Sequence, residues 1–106
     1  MYKLFLKIII FSILINCSGD KENNIEVFVS GAEIAGVNGM HFGPDGYLYA
    51  ASVTGSDISI IDTKNKKIIK RYDQTDGVIG PDDIAFNSKG EFYWTSILTG
   101  EVAGFD

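Results

Sequence analysis

The 106-residue chain contains one cysteine, Cys17, and one histidine, His41. A lone cysteine excludes an intramolecular disulfide, and the pair cannot supply the four Cys or His ligands of a structural zinc site. The sequence also lacks a glycine-rich phosphate loop and a Gly-x-Ser-x-Gly nucleophile motif. It therefore does not indicate a nucleotide-binding protein or a serine hydrolase of that type. His41 is left as a weak candidate for a catalytic base, with a hydrogen-bonded structural histidine as the alternative.

Positive charge is scarce as well. Nine Lys and Arg residues stand against fourteen Asp and Glu residues, which gives a formal net charge of −5. All the acidic residues follow Cys17, whereas two of the basic ones precede it. The basic residues between positions 64 and 71 fall in a turn and an alternating strand, where a solvated edge accounts for them. Nucleic acid requires a basic face, so we expect no nucleic-acid partner.

The only long apolar run lies at the N-terminus. Lys3 and Lys7 precede residues 8–15, which are apolar except for Ser12. A short basic segment followed by roughly 7–15 apolar residues is typical of a secretory signal, whereas a membrane-spanning helix needs about 20. A buried core helix is the alternative, but polar residues follow at once. The pattern predicts export.

The end of this run, Leu14-Ile15-Asn16-Cys17, resembles the bacterial lipobox, although Asn16 stands where that pattern has Gly, Ala or Ser. The resemblance implies acylation of Cys17 and a membrane lipoprotein on the periplasmic or cell-surface side, held by its acyl chains. An unmodified thiol is the alternative. The resulting division is a signal segment over residues 1–17, a polar tether over 18–24 and a folded part over 25–106.

The folded part contains an internal repeat. "VNGMHFGPDGYLYAAS" at residues 37–52 returns as "PDDIAFNSKGEFYWTS" at residues 81–96, a spacing of 44 residues. The matched pairs include Phe42 and Phe86, Gly46 and Gly90, Tyr49 and Tyr93, and Ser52 and Ser96. A period of about 40–50 residues with four short strands per unit is typical of a β-propeller blade.

Turn chemistry and β-branched or aromatic runs predict an all-β fold with no helix. The expected strands lie near residues 25–29, 39–43, 47–53, 57–62, 67–72, 83–87, 91–97 and 101–105. Residues 39–72 would form one four-stranded antiparallel blade and residues 83–105 three strands of the next. Residues 25–29 would be an outer strand of a preceding or closing blade. Because propellers close with about four to eight blades, we expect roughly two blades of a truncated, incomplete propeller.

The inner hairpins "NGMHFGPDGYLYAAS" and "PDDIAFNSKGEFYWTSILTGEV" resemble the senescence-marker protein/gluconolactonase family of six-bladed propellers, over residues 31–106. The resemblance implies a metal-dependent lactonase or ester hydrolase acting on a small lactone or ester, of which this chain is a piece that is inactive in isolation. The alternatives are a non-catalytic cell-surface propeller that binds a ligand or protein partner, and a decayed fragment that does not fold usefully.

The resemblance also implies a divalent cation held by Asn, Asp and Glu residues that precede the innermost strands. Ca²⁺ is the expected ion, with Zn²⁺ or Mn²⁺ as the less common alternatives. Asn38 in "VNGM" and Asp82 in "PDDI" match those positions. Glu33 is a weaker candidate, because the family's Glu-Gly-Pro phrase is absent. Asn38, Asp82 and Asp83 could instead be turn residues. Ca²⁺ takes about six to eight oxygens, so two donors are expected to be insufficient without further blades.

Overall fold

The computed structural model describes residues 24–29 and 34–105. In this part of the chain the structure is all-β apart from the short 3₁₀ helix Gln74–Asp76, which joins the two sheets. The strands are β1 (Val37–Phe42), β2 (Leu48–Ser52), β3 (Asp57–Asp62), β4 (Lys67–Tyr72), β5 (Pro81–Phe86), β6 (Phe92–Ser96) and β7 (Glu101–Gly104). They form a four-stranded sheet, β1-β2-β3-β4, and a three-stranded sheet, β5-β6-β7. All neighbours are antiparallel, which confirms the predicted fold class of two adjoining blades. We call the sheets blade 1 and blade 2.

Each inner hairpin closes on a glycine because its tight turn needs a left-handed residue. Gly46 and Gly90 both have a φ of 84°, a conformation that costs glycine little and other residues more. The Gly43 N–H donates to the Tyr47 carbonyl at 2.9 Å, and the Asn87 N–H donates to the Glu91 carbonyl at 3.0 Å. The repeated sequence thus forms the same backbone turn in both blades.

A second repeated feature ties each hairpin to the segment that precedes it. The Ser52 hydroxyl donates to the Ala35 carbonyl and accepts the Gly55 N–H at 3.0 Å. The Ser96 hydroxyl donates to the Ile79 carbonyl at 2.6 Å and accepts from Thr99 N–H at 3.2 Å. Both serines are buried. Their recurrence in the sequence therefore has a structural cause, since each satisfies backbone groups in the turn after β2 or β6.

Side chains alternate between two faces of each sheet, and paired residues share a face. We define the far face of blade 1 by Tyr49, Ala51, Ile58 and Ile60, and its near face by Met40, Phe42, Leu48 and Ile61. The far face of blade 2 carries Ala85, Tyr93, Thr95 and Val102, and its near face carries Ile84, Phe86, Phe92 and Trp94.

The core lies between the far face of blade 1 and the near face of blade 2. Its buried members are Tyr49, Ala51, Ile58, Ile60, Val78, Ile84 and Trp94, with Tyr72, Phe86, Phe92 and Ala103 packed against them. Tyr49 meets Phe86 edge-to-face, with ring centroids 4.8 Å apart and planes at 82°. Such aromatic pairs add about 0.5–1.5 kcal/mol beyond their buried area. Packing between the blades therefore fixes how the two inner strands lie beside each other.

One strand prediction is wrong. Residues 25–29 form no strand, and the contacts near this segment are made by side chains. Lys66 pairs with the Glu26 carboxylate, and its ammonium lies 5.9 Å from the centre of the Phe28 ring. A strand needs a neighbouring backbone edge, and such side-chain contacts do not replace one.

Several predictions concern other parts of the chain. The signal segment 1–17 with Cys17, most of the tether 18–24, and Glu33 lie outside the described residues. No helix in the described part of the chain is both long and apolar enough to cross a membrane.

Candidate functional site at the inner strands

Asn38 and Asp82 lie at the beginning of the two inner strands, where each strand is irregular. The pairing of β1 with β2 shifts register between Val37 and Gly39, and the pairing of β5 with β6 shifts between Pro81 and Ile84. Such irregularities release a residue from regular alternation and turn its side chain in a new direction. The two shifts occur at equivalent repeat positions, so they affect both candidate ligands in the same way.

The structure brings these two side chains into direct contact. The Asn38 side-chain amide donates to the Asp82 carboxylate, across 44 residues of sequence. Asn38 is exposed and Asp82 is half-buried. Equivalent positions in adjoining blades therefore meet at one end of the inner strands, and their role as metal ligands stays a prediction.

Gly39 makes this approach possible. A Cβ atom built at Gly39 would lie 2.7 Å from the Asp83 Cα and would also overlap the Asp82 backbone. No side chain fits between the two inner strands at this level. The Asn-Gly pair is thus explained by close approach of two backbones, rather than by a turn. The alternative of Asn38 as a turn residue is wrong, because β1 runs through it.

Asp82 and Asp83 are adjacent in sequence but have different roles in the fold. The Asp83 carboxylate accepts the Ile84 N–H at 2.9 Å, and the Asp83 N–H donates to the Thr95 hydroxyl at 3.1 Å. Asp83 and Thr95 thereby satisfy backbone and side-chain groups where the β5–β6 ladder is irregular. Asp82 instead contacts the other blade. The sequence did not predict this role of Thr95, because its repeat equivalent is Ala51 and the repeat therefore gives no signal at that position.

His41 lies on the far face of blade 1, between the blades. Its ring is exposed and tilted against Phe86, with centroids 5.6 Å apart. On β1 it is three residues from Asn38, beyond the register shift. The ring of His41 therefore contacts an aromatic side chain of β5, and a catalytic role for His41 stays a prediction.

The neighbouring Tyr49 has the one strongly altered titration in this region. Its hydroxyl donates to the Asp45 carboxylate at 2.9 Å. Burial, followed by the hydrogen bond and the negative charge of Asp45, raises the pKa of Tyr49 to about 12. Tyr49 thus remains a neutral hydrogen-bond donor at neutral pH, which suits a structural residue better than a catalytic base.

The chemistry of the pair fits part of a cation site. Carboxylate and amide oxygens are the ligands that Ca²⁺ prefers, in sets of about six to eight. Rotating the Asn38 amide by half a turn exchanges its nitrogen and oxygen without changing its shape, which would present its oxygen beside Asp82. Within residues 24–29 and 34–105, no cluster of three or more His, Cys, Asp or Glu side chains could hold a metal ion.

No protein-family model matches the chain, and no curated protein matches it. Among solved structures, it is similar to a catalytically inactive virginiamycin B lyase from Staphylococcus aureus with quinupristin. The TM-score is 0.53 and the identity 19%, covering 74% of this chain and 29% of that chain. It is also similar to the extracellular domain of a hybrid two-component system from B. thetaiotaomicron, with a TM-score of 0.49 and 15% identity, covering 67% of this chain and 11% of that chain.

Virginiamycin B lyase is a β-propeller, so the first of these similarities supports the propeller arrangement of the two blades. At this identity it shows the fold alone. The chain spans less than a third of the length of either protein. The number of blades in the ring stays a prediction.

Proposed function

We propose that the two blades belong to a propeller whose inner strands bind a divalent cation, with Ca²⁺ as the best-matched ion, and that the complete propeller is a metal-dependent lactonase or ester hydrolase. The contact between Asn38 and Asp82 carries this proposal. It joins oxygen-bearing side chains from equivalent positions of adjoining blades, as a site around a central channel requires. The resemblance to the gluconolactonase family supports the reaction class.

The proposed role of each residue follows from its chemistry. Asp82 would supply the negative charge and Asn38 a neutral oxygen, and further blades would complete the oxygen set. Gly39 allows the two strands to approach, and the bond from Asp83 N–H to Thr95 holds the register shift beside the site. When bound, the cation would polarise the carbonyl of a lactone or ester and lower the pKa of a nearby water.

The proposed membrane attachment is a separate matter. It rests on the lipobox-like sequence that ends at Cys17 and on the signal-like run before it. An exported lipoprotein would place the hydrolase on the membrane surface, where a small lactone or ester could reach it. Mass spectrometry of the membrane-extracted chain would show the added mass of acyl chains and the loss of residues 1–16.

Manganese broadening in NMR spectra tests the cation site directly, because Mn²⁺ relaxes nearby nuclei even when binding is weak. We expect low concentrations of Mn²⁺ to broaden the Asn38 side-chain amide and the Asp82 backbone amide first, and Ca²⁺ to compete. The test variant is Asp82→Asn, which keeps the size of the side chain and removes its charge. Exposed Glu101→Gln makes the same charge change on β7 and serves as the matched control.

The proposal requires that Asp82→Asn abolish the local broadening and that Glu101→Gln preserve it. Broadening spread over the acidic surface, or equal in both variants, would contradict the cation site. The remaining reading would then be a non-catalytic propeller, in which the Asn38–Asp82 bond only joins the blades. If the cation site is confirmed, cation-dependent hydrolysis of a small lactone tests the reaction class separately.

A further inference from the structure

The near face of blade 1 has no blade packed against it in the described part of the chain. Met40 is 60% exposed and Phe42 is 59% exposed. Their repeat equivalents in blade 2, Ile84 and Phe86, are buried and half-buried against blade 1. With Leu48 and other apolar residues, Met40 and Phe42 line a groove of about 500 Å³. Residues 27–29 line part of the same groove.

The far face of blade 2 is the matching surface at the other end. It contains a concavity of about 90 Å³ whose lining includes Ala85, Tyr93 and Val102. Val102 is exposed, and so are Ala85 and Tyr93. This face is the repeat equivalent of the far face of blade 1, which is covered by blade 2.

The interface between the two blades shows what would fit there. Phe86 of blade 2 lies 5.6 Å from His41 and 4.8 Å from Tyr49, measured between ring centroids. The 44-residue spacing relates Phe86 to Phe42, His41 to Ala85 and Tyr49 to Tyr93. A Phe42 side chain is therefore expected against Ala85 and Tyr93. Because alanine is smaller than histidine, Ala85 leaves room for the incoming ring.

We propose that the chain associates head to tail with a second copy of itself, the near face of blade 1 in one copy covering the far face of blade 2 in the other. Such a contact is heterologous and continues until a ring closes. The inference rests on the blade arrangement of the proposed function, and each copy would bring its own Asn38 and Asp82 to the channel.

Single-cysteine crosslinking tests the polarity of this association. Phe42→Cys and Ala85→Cys are made separately in the full chain, with Cys17→Ser as the common background, and treated with a short bismaleimide in mild detergent and EDTA. We expect the mixture to give at least about tenfold more crosslinked dimer than either variant alone, because docked thiols have a millimolar effective concentration. The double variant should give a ladder that ends at the closed ring.

Lys89→Cys, in the exposed turn before β6, is the matched control for a thiol outside both faces. Adding Val102→Glu to the Ala85→Cys variant places a charge on the far face and should remove the mixed product. Circular dichroism establishes that each variant is folded. The proposal is overturned if Phe42→Cys crosslinks no better with Ala85→Cys than with Lys89→Cys, or if single variants alone crosslink as well as the mixture.

The two proposals fail in distinguishable ways. Crosslinking is read without a cation, so Asp82→Asn is expected to leave it unchanged. Absent crosslinks with intact local Mn²⁺ broadening would overturn self-association and leave the cation site standing. Intact crosslinks, together with Mn²⁺ broadening that Asp82→Asn does not change, would overturn the cation site and leave self-association standing.

Discussion

Blade 1 and blade 2 share one sequence pattern but differ in what surrounds equivalent residues. Met40 and Ile84 occupy the same repeat position, yet Met40 is 60% exposed and Ile84 is 4% exposed. Both lie on inner strands and pair with the next strand of their own sheet. The difference arises because blade 2 has blade 1 beside its near face. Burial in this repeat is thus decided by the neighbouring blade, as expected for units that cannot bury both faces alone.

Contacts inside each blade do not show this difference. The turn bonds around Gly46 and Gly90 agree within 0.2 Å between the blades, at 2.9 and 3.1 Å for the glycine N–H bonds. Ser52 and Ser96 make the same pair of contacts. The comparison therefore separates two sources of stability, local bonds that every blade makes and interface packing that needs a second blade.

The largest expected difference is between Ile84→Ala and Met40→Ala. Truncating buried Ile84 should lower the free energy of unfolding by about 2–5 kcal/mol, because it leaves a cavity in the core between the blades. Truncating exposed Met40 should change it by less than about 0.5 kcal/mol. Urea denaturation of dilute protein, in which copies of the chain are expected to be dissociated, measures both. Equal losses would show that burial does not follow the neighbouring blade.

The serine pair should show an intermediate and equal effect. Ser52→Ala and Ser96→Ala each remove two hydrogen bonds made by a buried serine hydroxyl, which should cost about 0.5–1.5 kcal/mol for each bond. The same denaturation experiment applies, and Ser88→Ala, in an exposed turn, is the control that should change little. A cost more than about twofold larger in one blade than in the other would contradict the equivalence of the two hairpins.

The repeat explains why the strands were predictable and the site only in part. Glycine turns and alternation predicted β1 to β7 within about two residues at each end, because those signals act locally. The spacing of 44 residues also singled out Asn38 and Asp82, and the structure brings them together. The register shifts, the close approach at Gly39 and the contact between Asp83 and Thr95 depend on a neighbouring strand or blade, so no local pattern showed them. The strand predicted at residues 25–29 is wrong for the same reason, since a strand-like composition forms no strand without a partner edge.

The smallest expected difference concerns Tyr49 and Tyr93 at high pH. Because the folded state holds the Tyr49 proton to a pKa of about 12, against an ordinary value of 10.0, its contribution to stability is complete below pH 10. That contribution is lost as the pH rises from 10 towards 12. The loss in the free energy of unfolding reaches on the order of 1 kcal/mol near pH 11. Tyr49→Phe should remove this part of the pH dependence, whereas Tyr93→Phe, on the exposed far face of blade 2, should retain it. Urea midpoints measured between pH 8 and 11.5 compare the two variants, and lysine titration, common to both, cancels. If Tyr49→Phe keeps the full decline in stability with pH, titration of Tyr49 does not cause that decline. The far faces of the two blades would then not differ in the way that the packing of blade 2 on blade 1 requires.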